Sequence, residues 1–261
     1  MAKLTKADIY RKYGISFDGK KIDSPIGKIC GLLKEGNDKT GKTVLTFSLL
    51  PGTETVSAVV NGYTITERGT CACDCKGCYA KTGHYNQTSC KTSLLINTYL
   101  VNHHLDFVKA CLMAQIEIAG ACEIRVHAAG DFNTADPEAY ANMWHAIASE
   151  YDGDIMWTYT KIKKFETLFD DLRNANIVRS VIPHVGVNYG TCEYIISAYR
   201  ILKDLGEPVY ICRCGFDDSQ HCAGCGVCAH YKYVLFLEHS TGYNAKKDPL
   251  FKNLLMIVNN Q

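Results

Sequence analysis

Nine of the 14 cysteines in this 261-residue chain fall in two short segments, and this clustering constrains the fold more than any other feature. In chain order the clustered cysteines are Cys71, Cys73, Cys75, Cys78, Cys212, Cys214, Cys222, Cys225 and Cys228. The first residues of the chain contain no apolar signal core, so we expect a reducing, cytoplasmic compartment. In that setting tight cysteine clusters bind metals more often than they form disulfides.

Charge and composition exclude several classes of partner. The net charge of +1, with 47% hydrophobic and 21% charged residues, is typical of a soluble globular protein. No apolar run approaches the roughly 18 residues that a membrane span needs, so we expect no membrane partner. Basic and aromatic residues do not interleave in the pattern of a nucleic-acid surface, so the sequence gives no strong nucleic-acid signal.

The pattern of apolar residues predicts strands that alternate with helices. A long helix is predicted over 93–119, followed by strands over 123–129, 154–161, 177–187, 208–214 and 231–239, with helices between them, the first at 137–151 and the next at 163–175. This alternation indicates βα units with parallel strands, and the strands are too few for a full eight-unit barrel. The predicted fold class is therefore α/β, a partial (β/α) barrel with a cysteine-rich C-terminal loop.

The predicted organisation has two parts. Residues 1–62 are expected to be an N-terminal extension packed on the core, and a strand over 57–65 is expected to contain a turn at Asn61-Gly62. Residues 63–261 are expected to form the partial barrel, including the cysteine-rich segment 212–228. Alternation of side chains along the strands puts polar groups on one face, where such folds build their sites; this face includes Arg125, His127, Asp131, Ser180, His184, Asn188, Cys212 and Cys214.

The first cysteine segment has two possible chemistries. Cys71, Cys75 and Cys78 have C-x3-C-x2-C spacing, and three thiolates can hold three irons of a 4Fe–4S cluster while the fourth iron stays open to a small molecule. With Cys73 as a fourth ligand, the same loop could instead close a four-thiolate zinc or iron–sulfur site. The spacing alone does not decide between them.

Three segments, CKGCYA at 75–80, HAAGDF at 127–132 and WTYTK at 157–161, carry a family resemblance. The chain resembles the phage "gene product 88" domain family, a set similar to the radical S-adenosylmethionine (radical-SAM) superfamily. It departs from the superfamily pattern at Gly77, where an aromatic residue is usual, and at Asp131, where glutamate is usual.

The resemblance implies a cofactor and an activity. The resemblance favours the open cluster, which would bind S-adenosylmethionine (SAM) and cleave it to a 5′-deoxyadenosyl radical. The radical would abstract hydrogen from a substrate. Whether that substrate is a small molecule or a macromolecule does not follow from the sequence. An electron donor such as a flavodoxin or ferredoxin would be a partner. The implied contacts with SAM are Ala129, Gly130 and Asp131 at its methionine end, with Lys161, His184 and Asn188 as further candidates for SAM or substrate.

The second cysteine segment predicts another centre. Cys222, Cys225 and Cys228 have C-x2-C-x2-C spacing, and Cys212 or Cys214 can supply a fourth thiolate. Four thiolates suit an auxiliary 4Fe–4S cluster or a structural zinc, and the repeated two-residue spacing favours iron–sulfur.

The leading hypothesis is thus a radical-SAM enzyme in the cytoplasm, that of a bacterial host if the chain is phage-encoded. A non-catalytic zinc or iron–sulfur binding module of phage or mobile-element origin is the alternative. A relative that kept the fold and lost the radical chemistry is a third interpretation.

Overall fold

The computed structural model describes residues 4–36, 40–73, 78–81, 83–120, 122–150, 155–182, 184–213, 216, 222, 225–237 and 243–261. Its helices are α1 (Lys6–Lys12), α2 (Thr88–His103), α3 (Leu105–Ala119), α4 (Pro137–Glu150), α5 (Cys192–Asp204), α6 (Val227–His230) and α7 (Phe251–Asn259). Its strands are β1 (Ile22–Ser24), β2 (Gly27–Ile29), β3 (Lys34–Glu35), β4 (Val44–Phe47), β5 (Thr55–Val60), β6 (Tyr63–Arg68), β7 (Glu123–Val126), β8 (Met156–Thr160), β9 (Ala175–Arg179), β10 (Val181–Ile182), β11 (Gly186–Val187), β12 (Tyr189–Gly190), β13 (Val209–Ile211) and β14 (Tyr233–Leu237).

Parallel strands form the centre of the molecule. The main sheet has the order β3-β4-β7-β8-β9, in which β4, β7, β8 and β9 are parallel and β3 is an antiparallel edge. A second sheet, β12-β14-β13, is also parallel, and the amide of Arg179 donates to the carbonyl of Lys232 (2.9 Å), which brings the end of β9 beside the start of β14. The described strands do not close into a barrel, and a partial barrel remains a prediction.

The N-terminal residues are part of the main sheet. Strand β4 pairs with β7 in register, Val44 opposite Glu123 and Phe47 opposite Val126. The predicted boundary at residue 62 therefore separates two neighbouring strands of one sheet, and residues 1–62 are more than an extension. Pairing between segments almost 80 residues apart has no signal in the local pattern of a single sequence.

The turn predicted at Asn61-Gly62 is confirmed, but it joins two strands of a hairpin and does not lie inside one strand. Strands β5 and β6 pair antiparallel on either side of these two residues, which have φ of +49° and +86°. Positive φ at both central positions is what a tight hairpin turn requires, and asparagine and glycine tolerate it best.

Two predicted helices differ in the structure. The helix expected over 93–119 is two helices, α2 and α3, because His104 leaves the helical conformation with φ −144° and ψ +50°. The helix expected over 163–175 is a short 3-10 helix, Lys163–Phe165, followed by turns. The turns are closed by i→i−3 bonds, for example from the amide of Leu168 to the carbonyl of Phe165 (3.1 Å).

Two hydrophobic cores hold the elements together. The larger lies between the main sheet and helices α2, α3 and α4, and it includes the fully buried Phe47, Leu95 and Trp144. The smaller packs α5 and α7 on the second sheet around residues such as Ile195 and Leu254. Within the described residues, every helix is too short or too polar to cross a bilayer.

Candidate metal sites

Four cysteines of the second segment line one small cavity. Cys212, Cys222, Cys225 and Cys228 are among the residues that line a space of about 20 Å³, which we call the four-cysteine cavity. Its other walls come from Trp157, Tyr210, Gly226, Val227, Ala229 and Val234. Of the two candidates for the fourth thiolate, Cys212 lines the cavity, whereas Cys214 lies outside the described residues.

Backbone pairing and a tight turn position these thiols. Cys212 directly follows β13, and its amide continues the pairing by donating to the carbonyl of Leu235 (2.8 Å). The amide of Cys225 donates to the carbonyl of Cys222 (3.0 Å), and Gly226 then has φ +65° at the start of α6. Cys228 lies on α6, and its carbonyl accepts a bond from the side-chain amide of Asn176 on β9 (2.8 Å).

Polar side chains of the main sheet reach this cavity. The hydroxyl of Tyr159 donates to Sγ of Cys228 at 3.1 Å. The guanidinium of Arg125 lies 5.1 Å from the centre of the Tyr159 ring, within the range of a cation–π contact. Burial raises the pKa of Cys228 to about 12, so without a metal this thiol keeps its proton at neutral pH.

The four cysteines of this cavity are chemically suited to bind a metal as thiolates. Four sulfur atoms around one point are the ligands of tetrahedral zinc and of iron–sulfur clusters. In the part of the chain that is described, however, no three His, Cys, Asp or Glu side chains already have the arrangement of a metal site. The cavity volume is about that of a single water or ion, so the thiols would have to move apart around a 4Fe–4S cluster.

The first cysteine segment lies at the carboxyl ends of β7 and β8. The amide of Cys71 donates to the carbonyl of Gly52 (3.1 Å), which places its thiol near Cys78, Asp131 and Lys161. Burial is the main cause that raises the pKa of Cys71 to about 12, and the nearby carboxyl and thiol add to it while Lys161 opposes it.

The other thiols of this segment differ in exposure. Cys78 is half-buried like Cys71, whereas Cys73 is exposed, and Cys75 lies outside the described residues.

Asp131 is held inside the protein by three hydrogen bonds. Its Oδ1 accepts from the amide of Phe132 (2.8 Å) and the hydroxyl of Thr160 (2.7 Å), and its Oδ2 accepts from the amide of Lys161 (3.0 Å). The side chain is buried, with 4% exposed, and burial raises its pKa despite these bonds.

The two residues before Asp131 have structural roles as well. The carbonyl of Ala129 accepts the amide of Leu49 (2.9 Å). Gly130 has φ +86°, and a Cβ there would lie 2.7 Å from Oγ1 of Thr70 and 2.8 Å from Cβ of Leu49. Glycine is therefore required by the backbone and by close packing, whether or not a ligand approaches.

The remaining predicted contacts fall in two places. Lys161 shares the site with Asp131, whose Oδ2 its amide bonds at 3.0 Å, and its positive charge opposes the rise in the pKa of Cys71. His184 is exposed, with φ +62°, in the turn between β10 and β11. Asn188 is buried, and its side-chain amide donates to the carbonyl of Val234 (3.2 Å), so it holds the second sheet together. Among the described contacts, none joins His184 or Asn188 to Cys71.

The structure also corrects the predicted polar face at two residues. The strand expected over 177–187 breaks into β9, β10 and β11, and His184 lies in the turn between β10 and β11, so its predicted place on a strand face is wrong. The second residue is His127. His127 has φ +57°, and its buried ring bonds Tyr140 of α4 (2.8 Å) and Thr158 (3.0 Å) on the helix side of the sheet. The alternation rule fails here because the strand has already ended at Val126.

Sequence reasoning missed the contribution of Tyr159 and Trp157 to the second site. The signal was their shared face on β8 with Lys161, since residues two apart on a strand point the same way.

Comparison with known proteins adds one assignment. The sequence profile of the Gene product 88 family matches residues 31–184, more than half of the chain. This match includes the first cysteine segment and Asp131, whereas the four cysteines of the cavity lie beyond it. No curated protein and no solved structure matches the chain. The chain therefore belongs to the gene product 88 family.

Proposed function

We propose that this chain is an iron–sulfur protein with one centre at the four-cysteine cavity and another at Cys71, Cys75 and Cys78. The observation that carries the proposal is the convergence of Cys212, with Cys222, Cys225 and Cys228, on one cavity. Cys212 is ten or more residues away in the sequence from the other three cysteines, so it is the fold that brings it to the same cavity. A sulfur-lined cavity of this kind has metal binding as its ordinary chemistry.

The finer proposal is a radical-SAM activity at the first centre. A reduced 4Fe–4S cluster with an open iron would supply the electron that cleaves SAM. Cys71 and Cys78 would hold the cluster, and Lys161 beside them offers a positive charge to a carboxylate. The carboxyl ends of parallel strands are where βα folds place their sites, which agrees with the position of this segment.

Asp131 supports this proposal only through positioning. Three of the four acceptor positions of its carboxylate already have donors in the protein, so at most one remains for the ammonium of SAM. We infer that Asp131 mainly fixes the loop and the end of β8, so that the backbone of Ala129 and Gly130 is held in place.

A non-catalytic metal-binding module is the second candidate function. The size of the four-cysteine cavity favours it, because about 20 Å³ suits a single zinc ion as the cavity stands. Tetrahedral zinc on four thiolates is a structural site that contributes folding free energy.

Cleavage of SAM distinguishes the two candidates. After anaerobic reconstitution with iron and sulfide, wild-type protein given SAM and dithionite should release 5′-deoxyadenosine. Cys75→Ala should release none, whereas the matched control Cys30→Ala, which removes an exposed cysteine outside both segments, should behave as wild type. Protein that carries stoichiometric zinc, no acid-labile sulfide and no cleavage activity would replace the enzyme proposal with the binding module.

A further inference from the structure

Two residues of β8 approach the four-cysteine cavity from the main sheet. Trp157 forms part of the cavity wall, and the hydroxyl of Tyr159 bonds Sγ of Cys228 at 3.1 Å. The two side chains share a face because they are two residues apart on a strand. Helix α6, which carries Cys228, packs directly on β8 and β9, so this face and the cavity are held together.

The indole N–H of Trp157 is a buried donor without an acceptor among the described residues. Trp157 is 3% exposed, and its Nε1 has no hydrogen-bond partner within the described part of the chain. Indole can only donate, so the missing partner must be an acceptor. Buried polar groups in native proteins are nearly always paired, and an orphan at the wall of a cavity points to an occupant that pairs it.

The chemistry of the cavity identifies that acceptor. A neutral thiol accepts a hydrogen bond weakly, whereas a deprotonated sulfur on a metal carries negative charge and accepts it well. Tyr159 already aims a second donor at Cys228, and the guanidinium of Arg125, over the Tyr159 ring, adds positive charge on the same side. All three groups suit an occupant with net negative charge, which four thiolates on a divalent ion would have.

We propose that Trp157 and Tyr159 are positioning residues that donate hydrogen bonds to metal-bound sulfur in the four-cysteine cavity. This inference rests on the proposed centre at that cavity and is independent of the SAM chemistry. Partners of this kind orient the ligands of a metal and tune its properties, and their loss weakens metal binding. Strand β8 is therefore part of the metal site although it supplies no ligand.

Cobalt binding to the full-length chain tests this inference. Co²⁺ bound to thiolates gives a sulfur-to-metal charge-transfer absorption band. Both cysteine segments can contribute to this band, and the absorption that is lost in Cys225→Ala is the contribution of the four-cysteine cavity. Tyr159→Phe and Trp157→Phe should each weaken Co²⁺ binding about ten- to a hundredfold. Each should also shift the band to lower energy, since a sulfur without its donor gives up an electron more easily.

A buried hydroxyl on the other side of the sheet provides the matched control. Tyr140→Phe removes the bond between Tyr140 and His127 (2.8 Å), away from the cavity, and should leave both the affinity and the band unchanged. Thermal unfolding of each metal-free variant checks that the variant folds. Tyr159→Phe removes only a hydroxyl and keeps the ring, whereas Trp157→Phe also loses packing, so the Tyr159 variant is the cleaner test.

The outcomes separate the proposed centre from the positioning role. If Cys225→Ala removes no part of the charge-transfer band that the wild-type chain shows with Co²⁺, the proposed centre is overturned, and this inference with it. A wild-type chain that binds Co²⁺, with both β8 variants identical to it, would overturn the positioning role alone. The same holds if Tyr140→Phe weakens binding and shifts the band as much as they do, because the effect would then be general destabilisation.

Discussion

The hydroxyl of Thr160 donates to Oδ1 of Asp131 at 2.7 Å, and this bond joins the loop that follows β7 to the end of the neighbouring strand β8. The next residue, Lys161, bonds the other oxygen through its amide (3.0 Å), so the carboxylate is clamped from one side. On the preceding position of β8, Tyr159 bonds Cys228. Consecutive residues at the end of one strand thus contact both candidate metal sites.

Asp131→Asn should destabilise the protein by about 1–3 kcal/mol. All three partners of Asp131 donate to its carboxylate. The NH₂ group of asparagine would therefore face either the amide of Lys161 or the donors of Phe132 and Thr160, and in both orientations buried donors would face each other without an acceptor. Urea unfolding measures the change. The control is Asp136→Asn, an exposed helix cap on Ala139 (2.9 Å), which should be nearly neutral because asparagine caps as well as aspartate; equal losses in the two variants would refute the clamp.

Gly130→Ala should cost more stability than Gly62→Ala, although both glycines have φ of +86°. Alanine in this backbone region costs about 1–2 kcal/mol at either position. At Gly62 the new Cβ would meet nothing within 4 Å, whereas at Gly130 it would lie 2.7 Å from Thr70 and 2.8 Å from Leu49. Overpacking should add about 1–3 kcal/mol at Gly130, as measured by urea unfolding. Equal costs would show that the packing at Gly130 is loose.

How far the sequence predicts this molecule depends on the range of the interactions involved. Local signals were sufficient for the turn at Asn61-Gly62 and for the helix α4, but not for the segment 163–187, where the expected helix is a short 3-10 helix and the expected strand is three short strands. They were not sufficient for the parallel pairing of β4 with β7, nor for the break at His104, because apolar periodicity continues across it.

The candidate sites show the same division. Cysteine spacing predicted that Cys222, Cys225 and Cys228 share a site with Cys212 or Cys214; Cys212 lines the same cavity as the three, and their common role as metal ligands stays a prediction. The assignment of Asp131 to ligand binding could not foresee that Thr160 and Lys161 already occupy its oxygens, because those contacts cross between strands 30 residues apart. The shared face of Trp157 and Tyr159 on β8 was visible in the sequence, but their meeting with the distant Cys228 segment was not.

The buried His127 should make stability depend on pH. Burial lowers its pKa to about 3, whereas in the unfolded chain it is near 6.5, so between these values the unfolded state binds the extra proton. Stability should therefore be complete above about pH 6.5 and fall by up to about 1.4 kcal/mol per pH unit as pH drops towards 3.

His127→Asn isolates this effect, because asparagine tolerates the positive φ at this position. The difference in unfolding free energy between wild type and variant should narrow from pH 7 to pH 5. The pKa of Asp131 is raised, so its contribution to stability changes with pH in the opposite direction to that of His127. Because both proteins contain Asp131, its contribution cancels in that difference. A difference that does not change with pH would contradict the buried neutral histidine.

Cys73→Ser tests whether the first centre is open. Cys73 is exposed while Cys71 and Cys78 are half-buried, so we expect that the Cys73 thiol is not a ligand of the centre. Iron content after anaerobic reconstitution should stay close to that of wild type, and SAM should still change the electron paramagnetic resonance signal of the reduced protein. Loss of the metal in this variant would identify Cys73 as a fourth ligand and leave no open iron for SAM.

The central claim is that two separate cysteine sets each hold an iron–sulfur centre, and the content of iron, sulfide and zinc per chain tests it most directly. Anaerobically purified wild-type protein should carry about two 4Fe–4S clusters, and Cys75→Ala and Cys225→Ala should each retain about one. Cys30→Ala should match wild type. Stoichiometric zinc without acid-labile sulfide in the wild-type chain would contradict the account.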